Sequence, residues 1–213
     1  ETSYLQLNSK KDAANDLFRT TLASIFNDSS LVKNRLGDVC DFQNGFAFKS
    51  STFRETGTPV LRISNIQNES IDLEKLVFIN PQDYSQDLSR YIVKKYDLLI
   101  AMSGATTGKI GFNLGDTSLL QNQRVGRFEP HDQLMKKFLF YFLLTKVEES
   151  LRISAGAAQP NLSTKQIKDF LLPLPSLKQQ KKTIDKLDSL SIQSKKLSLN
   201  YTDEQKRFVE LKQ

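Results

Sequence analysis

The C-terminal segment from Ser176 to Gln213 contains neither glycine nor proline. Apolar residues recur along it in a three-four alternation, with Ser194 and Glu204 at the two polar positions of the pattern: Leu187, Leu190, Leu197, Tyr201, Phe208 and Leu211. This spacing predicts a coiled-coil-like helix of roughly 57 Å if it is unbroken. So long a helix cannot bury its apolar stripe on a compact domain. It therefore needs a partner helix, either the N-terminal helix of the same chain or a helix of another chain.

A second amphipathic helix is predicted from residue 3 to about residue 26. Its apolar residues lie at spacings of three and four, which place them on one helix face: Tyr4, Leu7, Ala14, Phe18 and Ile25. The sequence NDSS at 27–30 ends the helix. We expect Tyr4, Leu7, Phe18 and Ile25 to take part in helix pairing with the C-terminal stripe.

Between the two helices the chain changes character. Short β-rich runs such as PVLRIS and DLLIAM are punctuated by turn-forming residues, and residues 134–152 have the length and composition of a buried helix. Ser163, with Gln166 three residues later, predicts the capped start of another helix. The sequence thus predicts an α+β fold in three parts: an N-terminal helix at 1–29, a β-rich globular domain with short helices at 30–175, and a long C-terminal helix at 176–213.

The stretch AMSGATTGKIG at 101–111 raises the question of a nucleotide-binding loop. A phosphate-binding loop places four residues between its first glycine and its Gly-Lys, and a serine or threonine then holds magnesium. Here only three residues separate Gly104 from Gly108, and Ile110 follows Lys109. The better interpretation is a β-hairpin between YDLLIAM and KIGFNLG, with Ser103, Thr106, Thr107 and Lys109 at an exposed tip.

Catalytic motifs are not evident elsewhere. Asn80-Pro81 in INPQDY departs from the N-P-P-aromatic motif that holds a flipped adenine, and we interpret it as a turn. The single cysteine, Cys40, and the single histidine, His131, exclude an internal disulfide and a histidine-rich metal site. We expect no catalytic residue, metal site or cofactor in this chain.

The charge and hydropathy of the chain set mild limits on its partners. A net charge of +6 permits nucleic-acid binding without establishing it. No apolar run approaches the roughly 20 residues needed to cross a bilayer, and the polar N-terminus resembles no secretory signal. We expect a cytoplasmic protein without a membrane partner.

Five stretches, in order, resemble the specificity (S) subunit of type I restriction–modification enzymes. They are GDVCDFQNGFAFKSSTF (37–53), TPVLRISNIQN (58–68), YDLLIAMSGATTGKIG (96–111), LLQNQRVGRF (119–128) and AGAAQPNLSTKQIKDFLLPLPSLKQQ (155–180). The family's S subunit usually has two target-recognition domains and two conserved coiled-coil helices. This chain carries one such domain between two helices, so the resemblance implies a half-subunit or a fragment of a longer chain.

The resemblance implies a non-catalytic DNA-recognition role. In the family, S-adenosylmethionine-dependent adenine methylation belongs to modification (methyltransferase) subunits, and ATP- and Mg-dependent translocation and cleavage belong to a restriction subunit. The expected partners are therefore double-stranded DNA, these subunits, and a second copy or the other half of the specificity subunit. The C-terminal helix would act as a spacer between two recognition domains.

Side chains that can read base edges are arginine for guanine, asparagine or glutamine for adenine, and serine or threonine for either. Four polar stretches concentrate such residues, although each could also be a polar loop with ordinary hydrogen bonds. We predict DNA contacts from Lys49, Ser50, Ser51, Ser103, Thr106, Thr107, Lys109, Gln121, Asn122, Gln123, Arg124, Gln159 and Asn161. Phe46 and Phe48 are interpreted as core residues.

Two other classes of function remain open from the sequence. One is a coiled-coil scaffold or oligomerisation protein whose globular domain binds a peptide. The other is a nucleotide hydrolase. Salt-dependent binding to duplex DNA distinguishes the DNA-recognition class from the scaffold, because phosphate contacts release counterions.

Overall fold

The structure is a computed structural model that describes residues 2–28, 31–67, 69–153 and 161–210. Its helices are α1 (Thr2–Phe26), α2 (Leu36–Val39), α3 (Lys136–Ile153), α4 (Thr164–Lys168) and α5 (Leu177–Glu210). Its strands are β1 (Lys33–Arg35), β2 (Cys40–Asn44), β3 (Thr58–Leu61), β4 (Glu69–Ser70), β5 (Val77–Ile79), β6 (Ile92–Val93), β7 (Leu98–Ala101), β8 (Ile110–Phe112), β9 (Leu119–Gln121), β10 (Val125–Pro130) and β11 (Leu171–Pro173). The predicted α+β class is confirmed.

The chain divides into two compact units, one formed by residues 33–172 and the other by residues 1–32 with 173–213. In the second unit α1 packs against α5 of the same chain. The sequence left open whether the partner of the long helix lies in this chain or another, and the structure shows an intrachain partner.

Side chains in this helical unit follow the predicted stripes in part. Leu187 is fully buried, whereas Phe18, Ile25 and Leu190 are half-buried. The α1 pattern missed the buried residues Leu22 and Phe26, which lie about one and two helical turns beyond Phe18. The side chains of Tyr4, Leu7, Leu197, Tyr201 and Phe208 lie outside the described part of the structure, and so does residue Leu211 as a whole.

Helix α5 begins at a capping box. The Ser176 hydroxyl accepts a hydrogen bond from the Gln179 amide over 3.4 Å, and the Gln179 Oε1 atom accepts one from the Ser176 amide over 3.0 Å. Two of the backbone donors that a helix leaves unpaired at its start are thereby satisfied. The helix then runs for 34 residues, or about 51 Å at 1.5 Å per residue.

The unit formed by residues 33–172 is built on two main sheets. One has five strands in the order β2-β10-β7-β8-β4, and the other has four in the order β5-β3-β9-β6. Strands β7 and β8 pair antiparallel with Leu98 opposite Phe112, which confirms the predicted hairpin. Strands β1 and β11 form a separate two-stranded sheet.

The core fills the space between the two main sheets. Its buried residues are Leu61, Ile66, Val93, Leu99, Ala101, Leu119 and Val125. Helix α3 covers the other face of the five-stranded sheet, where Phe140 packs on Phe112 with ring centroids 5.2 Å apart. Every residue of β7 is buried because both of its faces are covered, which explains its uninterrupted apolar sequence.

A second apolar cluster lies on the opposite face of the four-stranded sheet, since its Val60 and Leu120 alternate with the core residues Leu61 and Leu119 along β3 and β9. Phe48 is a buried member of this cluster and Phe46 packs against it. The interpretation of both aromatics as core residues is confirmed.

Candidate nucleic-acid interface

Three of the predicted polar stretches meet at the end of β7. The Met102 amide donates to the carbonyl of Arg124 over 2.9 Å, and the Met102 carbonyl accepts from the Leu162 amide over 2.8 Å. Ser103, the next residue, forms a β-bridge with Asn161. We call the surface formed by residues 103–109, 122–124 and 161–164 the polar rim.

The hairpin tip at 103–109 is closed by its own hydrogen bonds. Gly104 and Gly108 adopt φ values of 75° and 83°, in the left-handed region that glycine enters without strain. The Thr107 hydroxyl donates to the Gly104 carbonyl over 2.6 Å, and Thr107 is only 6% exposed. Thr107, predicted to contact DNA, therefore shapes the tip from inside.

Thr106 and Ser103 lie in the same tip, and both are half-buried. The Oγ1 atom of Thr106 is buried and has no hydrogen-bond partner among the described residues. An unpaired buried hydroxyl costs free energy, so this group adds nothing to the stability of the tip.

Lys109 ends the tip with its side chain half-buried. Its ammonium Nζ donates to the Gln67 Oε1 atom over 3.3 Å, and the Gln67 Nε2 atom donates to the Ser64 carbonyl over 3.4 Å. Gln67 thus fixes the position of the Lys109 ammonium group at the polar rim. No local pattern in the sequence pointed to Gln67, because its partner lies 42 residues away.

The turn at 122–124 presents two exposed side chains, Gln123 and Arg124. The Val125 amide donates to the Asn122 carbonyl over 2.9 Å, and the Asn122 Oδ1 atom accepts from the Gln123 amide over 2.6 Å. Asn122 is half-buried and uses its side chain to close the turn. Gln123 and Arg124 are therefore free to project toward a ligand.

Gln121 differs from its prediction, because it is fully buried. Its Nε2 atom donates to the carbonyls of Gln43 over 2.9 Å and Val125 over 2.8 Å. As the last residue of β9, it points into the protein rather than toward solvent. Its side chain has no access to a duplex in this structure.

The segment 161–164 completes the polar rim. Asn161 is exposed, and Ser163 caps α4 by accepting from the Gln166 amide over 3.2 Å, as the sequence predicted. The Nδ2 atom of Asn44, an exposed residue at the end of β2, donates to the Thr164 hydroxyl over 2.9 Å. Asn44 is a rim neighbour that sequence reasoning missed. Gln159, also predicted to contact DNA, lies outside the described residues.

Lys49, Ser50 and Ser51 occupy a different part of the unit. All three are exposed, and Thr52, directly after them, shares a hydrogen bond of 2.6 Å with the Tyr84 hydroxyl. The segment is thereby tied to the second apolar cluster, which Tyr84 packs against.

The polar rim is electropositive. Its three segments contain Lys109 and Arg124 and no aspartate or glutamate. Two cations beside amide and hydroxyl groups suit a polyanion that also offers donors and acceptors, as duplex DNA does.

Other chemistry finds little support in the described residues. Cys40 is buried, and this burial raises the pKa of its thiol to about 12, so it remains protonated. The described ranges contain no group of three or more His, Cys, Asp and Glu side chains able to hold a metal ion. Within the same ranges, no helix combines the length and apolarity needed to cross a bilayer.

Residues 29–200 match the family described as the type I restriction modification DNA specificity domain. The chain is 32% identical over 180 residues to the type I restriction enzyme MjaVIII specificity subunit of Methanocaldococcus jannaschii, covering 81% of this chain and 41% of that protein. It is also 32% identical over 166 residues to the EcoAI specificity subunit of Escherichia coli, covering 73% of this chain and 27% of that protein. The chain thus spans less than half the length of both curated relatives.

Two solved structures share the fold. The HsdS subunit from Thermoanaerobacter tengcongensis aligns with a TM-score of 0.69 and 19% identity, over 92% of this chain and 47% of that one. A chain from a structural study of complex assembly and conformational transition in a type I R-M system aligns with a TM-score of 0.78 and 19% identity, over 97% of this chain and 51% of that one. At this level of identity the likeness concerns the fold alone.

Proposed function

Because the chain belongs to the type I restriction modification DNA specificity family, we propose that it recognises duplex DNA sequence-specifically through the polar rim. The observation that carries the proposal is the convergence of three polar segments on Met102. Side chains far apart in sequence thereby form one surface that is cationic and rich in amides.

The rim offers the two kinds of contact that sequence-specific recognition needs. Exposed Arg124 and Gln123 can reach base edges, where arginine pairs with guanine and glutamine with adenine. Asn161 and Asn44 supply further amides. Lys109 suits a phosphate, which gives affinity without sequence choice.

The same proposal places catalysis on other chains. Methyltransferase subunits that use S-adenosylmethionine, and a restriction subunit that uses ATP and Mg²⁺, would act at sites this chain selects. A second copy, or the other half of a longer specificity subunit, would supply the second recognition domain. The helical unit of α1 and α5 is the part suited to join such halves.

Selection from a pool of randomised duplexes tests the proposed function. The full chain should enrich a defined sequence, and its affinity for that duplex should fall steeply with salt as counterions are released. Absence of enrichment together with salt-independent binding would instead favour a scaffold that binds peptides.

The spacer role has its own test. If two recognition domains act together, the enriched sequence should consist of two half-sites at a fixed separation. A single uninterrupted site would show that one domain acts alone.

A further inference from the structure

The buried carboxamide of Gln121 is an unusual group to find beneath a surface turn. Its Nε2 atom serves two carbonyls on different strands, Gln43 of β2 and Val125 of β10. Its Oε1 atom is buried and has no hydrogen-bond partner among the described residues. That unpaired oxygen is a cost which an apolar side chain of the same size would avoid.

The two carbonyls that accept from Gln121 connect the turn at 122–124 to strands β2 and β10. Val125 follows Arg124 directly, so a bond to its carbonyl fixes the chain where the turn ends. Gln43 lies opposite Arg127 in the β2–β10 register, and its own Oε1 atom accepts from the Arg127 guanidinium over 3.1 Å. Gln121 therefore anchors the turn to the β2–β10 strand pair, whose two strands are also joined by the Arg127–Gln43 side-chain hydrogen bond.

Gly45 confines the same turn from a second direction. A Cβ atom at this position would lie 2.2 Å from the Asn122 carbonyl oxygen, so only glycine allows the close approach. The next residue, Phe46, donates its amide to the Gln121 carbonyl over 2.8 Å, and the Asn122 amide donates to the Leu61 carbonyl over 3.0 Å. The backbone that carries Gln123 and Arg124 is thus held on several sides.

We infer that Gln121 is a positioning residue for base reading, which sets the geometry in which Gln123 and Arg124 meet the duplex. The inference rests on the proposed function. A bidentate contact requires that both hydrogen-bonding atoms of the side chain align with their two partners on the base edge. Phosphate contacts carry no sequence information. Loss of the Gln121 anchor should therefore reduce sequence discrimination while non-specific affinity remains.

The test compares the full wild-type chain with Gln121→Met, which has a similar length and no amide. The probes are a duplex enriched by the wild-type chain from a randomised pool and a scrambled duplex of the same composition. The ratio of the two affinities is expected to fall about tenfold, as for one misplaced bidentate contact. Affinity for the scrambled duplex should stay unchanged.

A destabilised control separates positioning from general loss of stability. Ile79→Val removes a methylene from a fully buried residue of β5, on a strand that does not border the turn, and should leave the affinity ratio unchanged. If Gln121→Met weakened binding to both duplexes alike, Gln121 would be an ordinary core residue. If the wild-type chain itself failed to prefer its enriched duplex, the proposed function would fail first, and the inference with it.

Hydrogen exchange on the unmodified chain gives an answer even if Gln121→Met does not fold. The Val125 and Met102 amides close and anchor the turn, so both should exchange as slowly as the amides of Arg127 and Phe128 in the middle of β10 before DNA is added. Exchange at the rate of an open loop would mean that no geometry is preset, and would overturn the inference.

Discussion

Ser194 of α5 donates a hydrogen bond to the Oδ1 atom of Asn15 in α1 over 3.0 Å. Ser194 is the buried member of the pair, and it occupies one of the two polar positions in the apolar alternation of the long helix. Polar residues at a single seam position of a coiled coil fix register at some cost in stability. We therefore expect the hydrogen bond at this interruption of the stripe to help set the register between α1 and α5.

Ser194→Ala should lower the free energy of unfolding of the helical unit by about 0.5–1.5 kcal/mol, the usual contribution of one hydrogen bond. Ser189→Ala is the matched control, since Ser189 is exposed and its hydroxyl donates to the Asp185 carbonyl of its own helix. Urea unfolding followed by circular dichroism measures both variants. Equal losses in the two would remove any special role for the Ser194–Asn15 pair.

Arg124→Lys tests base reading at the 122–124 turn. Lysine keeps the charge but lacks the planar fork that pairs with guanine, so preference for the enriched duplex should drop by about 1–3 kcal/mol. The slope of affinity against salt should stay the same. An unchanged preference measured by competition titration would show that Arg124 contacts only phosphate.

Lys109→Ala should weaken binding to all duplexes alike and reduce the salt slope by about one unit, because one phosphate contact is lost. Lys196→Ala, which removes an exposed lysine from α5, is the charge-matched control. If both variants changed the slope equally, net charge rather than the polar rim would govern affinity.

Ser163→Ala removes the cap of α4 and should cost about 1 kcal/mol of stability. Ser163→Asp restores a capping oxygen and with it most of that stability, but it adds a negative charge to a rim that has none. DNA binding should therefore weaken in the aspartate variant although the fold is intact. Wild-type affinity in that variant would place the 161–164 segment outside the interface.

Cys40 should resist thiol reagents in the folded chain and react fully in denaturant. Burial raises its pKa from 9.0 to about 12, so the reactive thiolate is scarce at neutral pH. Because the folded state holds the proton more tightly than the unfolded state, stability should decline between about pH 9 and pH 12. Cys40→Ala should remove this part of the pH dependence. Rapid labelling of Cys40 in the native protein would contradict the burial of its thiol.

The sequence predicted those features that depend on residues close together in the chain. The β7–β8 hairpin follows from two apolar runs around a glycine turn, the Ser163 cap from a glutamine three residues later, and α5 from an unbroken periodic segment. Each signal is local, so no knowledge of tertiary packing was needed to find it.

The features that were missed depend on pairing over long distances. Asn44 reaches Thr164 across 120 residues because β2 lies at the edge of a sheet whose order does not follow the chain. Gln121 belongs to a run of four polar residues, QNQR. Composition cannot tell that β9 ends on the inward-facing side chain of Gln121, that Asn122 closes the turn, and that Gln123 and Arg124 face solvent.

The bonds that join the polar rim at Met102 run from amide to carbonyl and involve no side chain. A substitution at an exposed rim position such as Gln123 or Asn161 leaves every one of them in place. The framework and the residues that it displays can therefore change independently during evolution. A lineage could exchange a few outward-facing residues and acquire a new target while inheriting the same stable scaffold.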